Sequence, residues 1–531
     1  MRQLIASVLL LLAAPAAIPA TPKPALTTVA ERSGFVKTGR YDEVVALCRE
    51  FERAYPERAR CFAFGRTPEG RPMLALAVSA SGALTPEAAR ERRVPVLLFQ
   101  GGIHAGEIDG KDAGFLALRE MLEGKAAPRA LDGITVLFVP VFNVDGHERF
   151  GRWNRPNQRG PEEMGWRVTS QNLNLNRDYA KADAPEMQAM LRLIEAWDPI
   201  VYTDLHATDG AQFEHDISIQ LEPLYSGDDA LRGAGLALRD ALVGQLAKQG
   251  SLPLPFYPSF VVGDDPASGF EAGVPAPRFS TGYMPLRNRF AILVETHSWK
   301  PYRERVASTR NVIVDLAGLA ATDGAKWLAL AAAADAGAAK LGGAQLPLDY
   351  KAQGEPRTIA FRGYAYTRTP SEVSGALMTR YDERKPQVWN IPLRDDVRPN
   401  TLVAAPRGGY VVPAAHAMRI GPRLAAHGIA FHALESAADA EVEAFHASKA
   451  TFETASFENR QRLTVEGAWQ AERRVLVAGS LFVPIAQPKA RLVVALLEPT
   501  SGDSYAAWGE FNAHFERKEY MEDYVSESVA R

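Results

Sequence analysis

From Tyr41 to about Ala339, short apolar runs alternate with longer stretches whose apolar residues recur at helical spacing. The runs Met73 to Val78, Val94 to Phe99, Thr135 to Phe142, Ile200 to Asp204 and Phe290 to Glu295 are rich in Val, Leu, Ile and Phe, and predict strands. Gly110 to Leu122, Pro185 to Trp197 and Asp228 to Gln249 predict helices. This alternation points to an α/β fold, a mixed, mostly parallel sheet with helices on both faces.

A helical, alanine-rich stretch from Val306 to Lys340 is broken by Gly342-Gly343-Ala-Gln-Leu-Pro347, and the domain boundary is expected there. Residues 21–340 then form one domain and 341–531 a smaller mixed α/β domain. In the latter, Gly409 to Pro413, Ala414 to His427 and Ile429 to Ala433 read as strand, helix, strand. Val475 to Val483 and Arg491 to Leu497 read as further strands, and Glu510 to Ala530 as a helix. Residues 1–20 read as an export signal, with a positive start, an apolar core from Leu4 to Ala14 and a small-residue cleavage region. That core is too short to span a bilayer, so a secreted or periplasmic protein without a stable membrane anchor is expected.

Composition narrows the partners. The 531 residues are 47% hydrophobic, enough for sizeable cores, and a net charge of -3 with mixed signs offers no basic stripe for nucleic acid. The two cysteines leave two readings. Cys48 lies in the helical pattern Tyr41 to Tyr55 and Cys61 opens the strand-like Cys61-Phe-Ala-Phe, so the pair is either a disulfide across a helix and strand or two buried thiols.

Polar groups cluster where the strands end. His104 and Glu107, in Gly-Gly-Ile-His104-Ala-Gly-Glu107, follow one apolar run; Asn143 and Asp145 follow the next; His206 follows another, and Glu295 closes a fourth. In open α/β sheets, ligands bind beyond the carboxyl ends of the strands, so these groups can converge. Two imidazoles and a carboxylate with a position left for water form a recurring catalytic zinc set, and one Zn2+ held by His104, Glu107 and His206 is expected. Such a site needs a base, and Glu295, an acid at the end of an apolar strand, is the candidate. No Gly-x-Ser-x-Gly nucleophile elbow competes with this reading.

These residues resemble the zinc carboxypeptidases related to carboxypeptidase A. The resemblance runs from about Tyr41 to Tyr302 and rests on Gly65-Arg-Thr-Pro-Glu-Gly-Arg71, His104-Ala-Gly-Glu107, Phe142-Asn-Val-Asp-Gly146, Leu175-Asn-Arg177, His206 and Val294-Glu295-Thr, in the family's order. It implies that Glu295 is the general base and that Asn176 and Arg177 bind a substrate's C-terminal carboxylate, which a guanidinium fork suits. It also implies an arginine that stabilises the oxyanion, for which Arg152, Arg155 and Arg159 lie in the right interval. Arg155 is preferred on local pattern, with Arg159 then a substrate-binding group.

Two positions depart from the pattern. Asn174 stands where many relatives carry an acid supporting a zinc histidine, and the substrate-capping tyrosine has no match at its usual distance, leaving Tyr283 as the candidate. Arg287 and Arg289 are expected near the pocket for the terminal side chain. The implied activity is removal of C-terminal residues from peptides. Alternatives are a zinc amidohydrolase or peptidase acting on cell-wall peptides or acylated amino acids, and a non-catalytic peptide-binding module.

Overall fold

The computed structural model describes residues 26–516 and 518–531; the expected export signal lies outside them. Eight strands form one sheet: β1 Ala59–Arg66, β2 Pro72–Val78, β3 Val96–Gly101, β4 Thr135–Val139, β5 Val201–Ala207, β6 Ile217–Glu222, β7 Pro253–Leu254 and, after a two-residue strand β8 (Phe270–Glu271) outside it, β9 Phe290–Thr296. Their order is β1-β2-β4-β3-β5-β9-β6-β7. The central strands β4, β3, β5 and β9 are parallel, whereas β1 with β2, β2 with β4, and β9 with β6 pair antiparallel.

Every residue of β3, β4 and β5 is buried, the mark of a sheet covered on both faces. Helices Asp109–Leu122, Pro185–Trp197 and Asp229–Lys248 coincide closely with the helices expected from periodicity. A 37-residue helix, Tyr302–Ala338, follows β9. From β3 the chain crosses to β4 on one side, and it later places β5 on the other, so the strand order reverses at β3. A crevice opens beyond the carboxyl ends of strands at such a reversal, and this positions the site.

The helix Tyr41–Ala54 buries Val44, Leu47, Cys48 and Phe51, and Cys48 is joined to Cys61 of β1, with Cα atoms 5.4 Å apart. Closing so short a loop restricts the unfolded chain, worth about 3 kcal/mol in the loop-entropy picture. Of the two cysteine readings, the structure has the disulfide.

Beyond residue 341 the architecture is dominated by long antiparallel ribbons: Gln345–Ala352 with Val397–Ala404, Arg357–Pro370 with Leu377–Arg394, which β8 joins in parallel at its end, and Ala438–Phe452 with Leu463–Leu476. A small sheet joins Gly409–Val412, His432–Ala433 and Leu481–Pro484 beside the helix Ala414–Ala426. Leu346, Val412, Ile420, Leu424, Val483 and Leu492 pack into the same hydrophobic cluster as the central sheet. A second cluster joins Phe213, Phe270, Phe361 and Trp389, and so fixes the 357–394 ribbon against the loops near the strand exits.

Three expected elements differ. Residues 491–497 belong to a helix, Ala490–Leu497, with most of its residues buried; a short apolar run is equally a strand or a buried helix by periodicity. Residues 475–483 span the end of one ribbon strand and the start of the small-sheet strand. The 510–530 stretch is helical only at Asp523–Ala530, with a 3₁₀ turn at Asn512–His514. Among the described residues, no helix is long and apolar enough to cross a membrane.

Candidate metal and peptide site

After β3 the chain must turn at once. Gly101 allows it because a Cβ there would lie 2.6 Å from the Pro140 carbonyl, and Gly102 takes a φ of +60°, which favours glycine. The turn carries His104 and Glu107 to the sheet's edge. There they meet His206, near the end of β5, whose cross-strand partner on β9 is Glu295. Ligand atoms of His104, Glu107 and His206 all lie within 4.8 Å of one another, and all three side chains are buried.

Glu107 holds the group together: its Oε1 lies 3.0 Å from His104 Nδ1 and its Oε2 2.8 Å from His206 Nδ1. A buried carboxylate between two imidazole nitrogens that face one space is a donor set that fits zinc. The far sides of the rings are also occupied. The Asn174 amide oxygen is 3.2 Å from His104 Nε2, and Asp204 Oδ1 lies 2.9 Å from His206 Nε2, off the line of a good hydrogen bond. Outer groups of this kind fix ring orientation and tautomer. Asn174 thus stands in for the acid found in relatives, and the acid here serves the other histidine.

The charges agree with a site awaiting a cation. Burial lowers His104 to about 4, so its ring is neutral and free to donate a lone pair. Burial also opposes charge on His206, but the Asp204 and Glu107 carboxylates outweigh it and hold the ring protonated well above its ordinary range, in a place where a cation would displace the proton. Burial pushes Glu295 up to about 8, Glu107 and Asp209 adding to the shift against the pull of His206 and Arg155. Its Oε2 has no hydrogen-bond partner among the described residues. A buried carboxyl left unpaired is costly, and at a cavity wall it marks a functional group.

One cavity of about 250 Å³ joins His104, Glu107 and Glu295 to Asn176 and Arg177. Arg177 lies in the 3₁₀ turn Leu175–Arg177, donates to the Asn176 carbonyl at 2.7 Å and lies over the Phe279 ring at 4.5 Å. Among the described residues no carboxylate pairs with it. Asp178, the nearest structural acid in sequence, is bound instead by Lys181 at 2.5 Å and by the amides of Asp183 and Ala184. The arginine is therefore free to meet an incoming carboxylate.

Six residues considered for the site are elsewhere. Arg155 does not line the cavity: it donates to Glu107 Oε1 at 2.7 Å, to Gln158 and to the Ala207 and Thr208 carbonyls, and so positions Glu107. Arg159 pairs with Glu383 of the 357–394 ribbon and lies over Trp299. Arg152 is exposed and lies over Trp153. Tyr283 is wholly buried, its hydroxyl 2.9 Å from His427 Nδ1, so it is part of the core. Arg287 and Arg289 are likewise structural, bound to Glu195 and to Asp198 with Asp335.

Two residues that line the cavity were not anticipated. Arg167 projects a half-buried guanidinium to within 3.3 Å of Glu107 Oε1 and faces the same space as Glu295. It lies between the Asn-Val-Asp-Gly and Leu-Asn-Arg motifs but nearer the second, and that proximity was the available signal. Its backbone carbonyl accepts from Asn143 Nδ2 at 3.1 Å, while Asp145 accepts from Thr67, Arg71 and Ser170. Asn143, Asp145 and the Gly65 to Arg71 motif thus form a frame around the cavity. Tyr257, between Pro255 and Pro258, also lines it. It belongs to a long, largely irregular segment, which is where binding groups concentrate. The remaining wall is uncharged near Gln220, Leu293 and Thr281 and carries one acid, Asp209. His147, His215 and His297 contact backbone carbonyls at Gly39, Leu252 and Ala211.

Residues 44–223 match the family described as zinc carboxypeptidase. A curated yeast protein, the inactive metallocarboxypeptidase ECM14 of Saccharomyces cerevisiae, is 34% identical over 124 residues; the match spans 22% of this chain and 28% of that protein. Among solved structures, thrombin activatable fibrinolysis inhibitor is similar over 58% of this chain and 80% of its own at 15% identity, TM-score 0.41. Carboxypeptidase A from Helicoverpa armigera is similar over 56% and 75%, at 18% identity and TM-score 0.37.

Proposed function

With residues 44–223 falling in the zinc carboxypeptidase family, we propose that this chain is an exported zinc metallocarboxypeptidase that hydrolyses the C-terminal peptide bond of peptides. The carrying observation is one cavity lined by His104, Glu107, an unpartnered Glu295 and Arg177, the last free of any acid, with His206 beside the first two.

His104, Glu107 and His206 would hold the ion. A zinc ion bound there polarises a carbonyl and lowers the pKa of water. Everything else falls to the chain. Arg177 and Asn176 bind the terminal carboxylate and so set which bond lies at Glu295. Glu295 takes a proton from the attacking water and delivers it to the departing amine nitrogen. Arg167 faces the developing oxyanion with a charged donor. Tyr257 adds an aromatic wall against which the substrate can pack.

Export is supported by the N-terminal apolar run and by the Cys48–Cys61 disulfide, which persists in oxidising compartments. The curated relative is named as inactive, which makes a silent peptide-binding module the competing reading. A panel of peptides decides between them. Stoichiometric zinc with release of C-terminal residues from free-carboxylate peptides, and at least a hundredfold less from C-terminal amides, is the expected result. Glu295→Gln should keep the zinc and lose about 10²- to 10⁴-fold in kcat. Zinc binding with no turnover of any peptide would establish the silent module.

A further inference from the structure

A second cavity, of about 230 Å³, opens beside the first, and Asp209 and Tyr257 belong to the walls of both. The two differ in charge. Arg167 and Arg177 face the first, whereas no lysine or arginine lines the second, whose charged groups are Asp209 and Asp264. Asp264 is engaged, accepting from the Thr379 amide at 2.7 Å. Asp209 is exposed and, among the described residues, has neither a hydrogen-bond nor an ion-pair partner. Phe213, Tyr257 and Phe260 supply aromatic walls around it.

Chain direction decides what reaches this second space, given the peptidase reading above on which the step rests. A peptide whose terminal carboxylate meets Arg177, with its last amide beside Glu295, sends its preceding residue past Asp209 and Tyr257. Aromatic walls accept the methylenes of a long basic side chain and attract its cation through their faces. We propose that Asp209 is a specificity-determining residue that favours peptides with lysine or arginine immediately before the C-terminal residue.

The test is binding, so that turnover does not enter it. Calorimetry on the zinc-loaded full chain carrying Glu295→Gln, with acetyl-Lys-Leu, acetyl-Ala-Leu and acetyl-Glu-Leu, should rank affinity in that order. An accessible ion pair predicts roughly a fivefold gap between the first two at low salt. Adding Asp209→Asn should bring the three within about twofold, and Asp209→Lys should reverse the order. Equal affinities, no binding, or a lysine preference that survives Asp209→Asn would overturn the proposal. Hydrolysis by the unmutated chain is scored separately: ranked binding without hydrolysis sinks the peptidase reading and upholds the subsite, and hydrolysis without ranking does the converse.

Discussion

In β3 and β5 every residue is buried, whereas in the ribbon of Ala438–Phe452 and Leu463–Leu476 only Leu463 and Val465 are. Both regions are built of strands, yet their side chains do opposite work. A parallel strand covered on both faces spends its side chains on the core, so the chemistry moves to its exit. A two-stranded ribbon has little core to gain from and leaves most side chains in water. The difference teaches where substitution should matter: a few residues past the ends of the sheet, far more than long stretches of the C-terminal part.

The sharpest way to break that comparison lies among the arginines at the exits. Arg167 and Arg155 both touch Glu107 Oε1, at 3.3 and 2.7 Å, but only Arg167 lines the cavity. Arg167→Ala should therefore cost about 10²-fold in kcat, with zinc affinity nearly kept. Arg155→Ala should instead weaken zinc by roughly 10- to 100-fold, because it removes the support of a ligand. Metal titration and steady-state kinetics on both variants separate the roles. An exchange of the two phenotypes would return the oxyanion role to Arg155.

Those two arginines also mark the limit of what the sequence discloses. The strands, the disposition of His104, Glu107, His206 and Glu295 at their exits, and the free Arg177 were legible, because burial on both faces leaves continuous apolar runs and because strand ends are chemically loaded. Arg155 and Arg159 were misplaced because they lie in irregular chain whose course is set by distant partners, Glu107 and Glu383, and Tyr283 because the short helix Ser280–Tyr283 turns its hydroxyl to His427, far off in sequence. The ribbons escaped notice for a related reason. With both faces near water, the 438–476 segment alternates only weakly, Ala438 to Ala444 having alanine in most of its apolar places.

Inside the sheet, a buried acid with no catalytic task gives a smaller effect with a definite pH dependence. Glu222, ending β6, is buried and accepts from the Leu224 amide at 2.8 Å, and burial pushes its carboxyl up to about 7. Because the folded state holds this proton more tightly than the unfolded chain, the stabilisation is complete below about pH 4.5 and is lost as pH rises through about 7. Glu222→Gln keeps an acceptor and abolishes the titration. Urea unfolding should show the variant more stable by roughly 1–3 kcal/mol at pH 8 and indistinguishable from the parent near pH 4.5. A constant difference across that range would mean that Glu222 does not titrate in the window.

The smallest effect is expected at the tip of the 357–394 ribbon. Val373 is 98% exposed, in the turn between Pro370 and Leu377, and its neighbour Leu377 is half exposed. The ribbon's base is fixed to the catalytic part through Phe361 and Trp389, so its tip can change without disturbing that cluster. Val373→Ser should leave stability within about 0.5 kcal/mol and peptide hydrolysis unaltered, since a surface valine with no packed neighbours loses little. The measurement is a paired urea titration and kinetic assay. A loss of activity on long peptides with dipeptide substrates unaffected would show that the tip meets substrate far from the cavity, and the contrast between sheet exits and ribbons would then have to be redrawn around a ribbon that guides the chain inward.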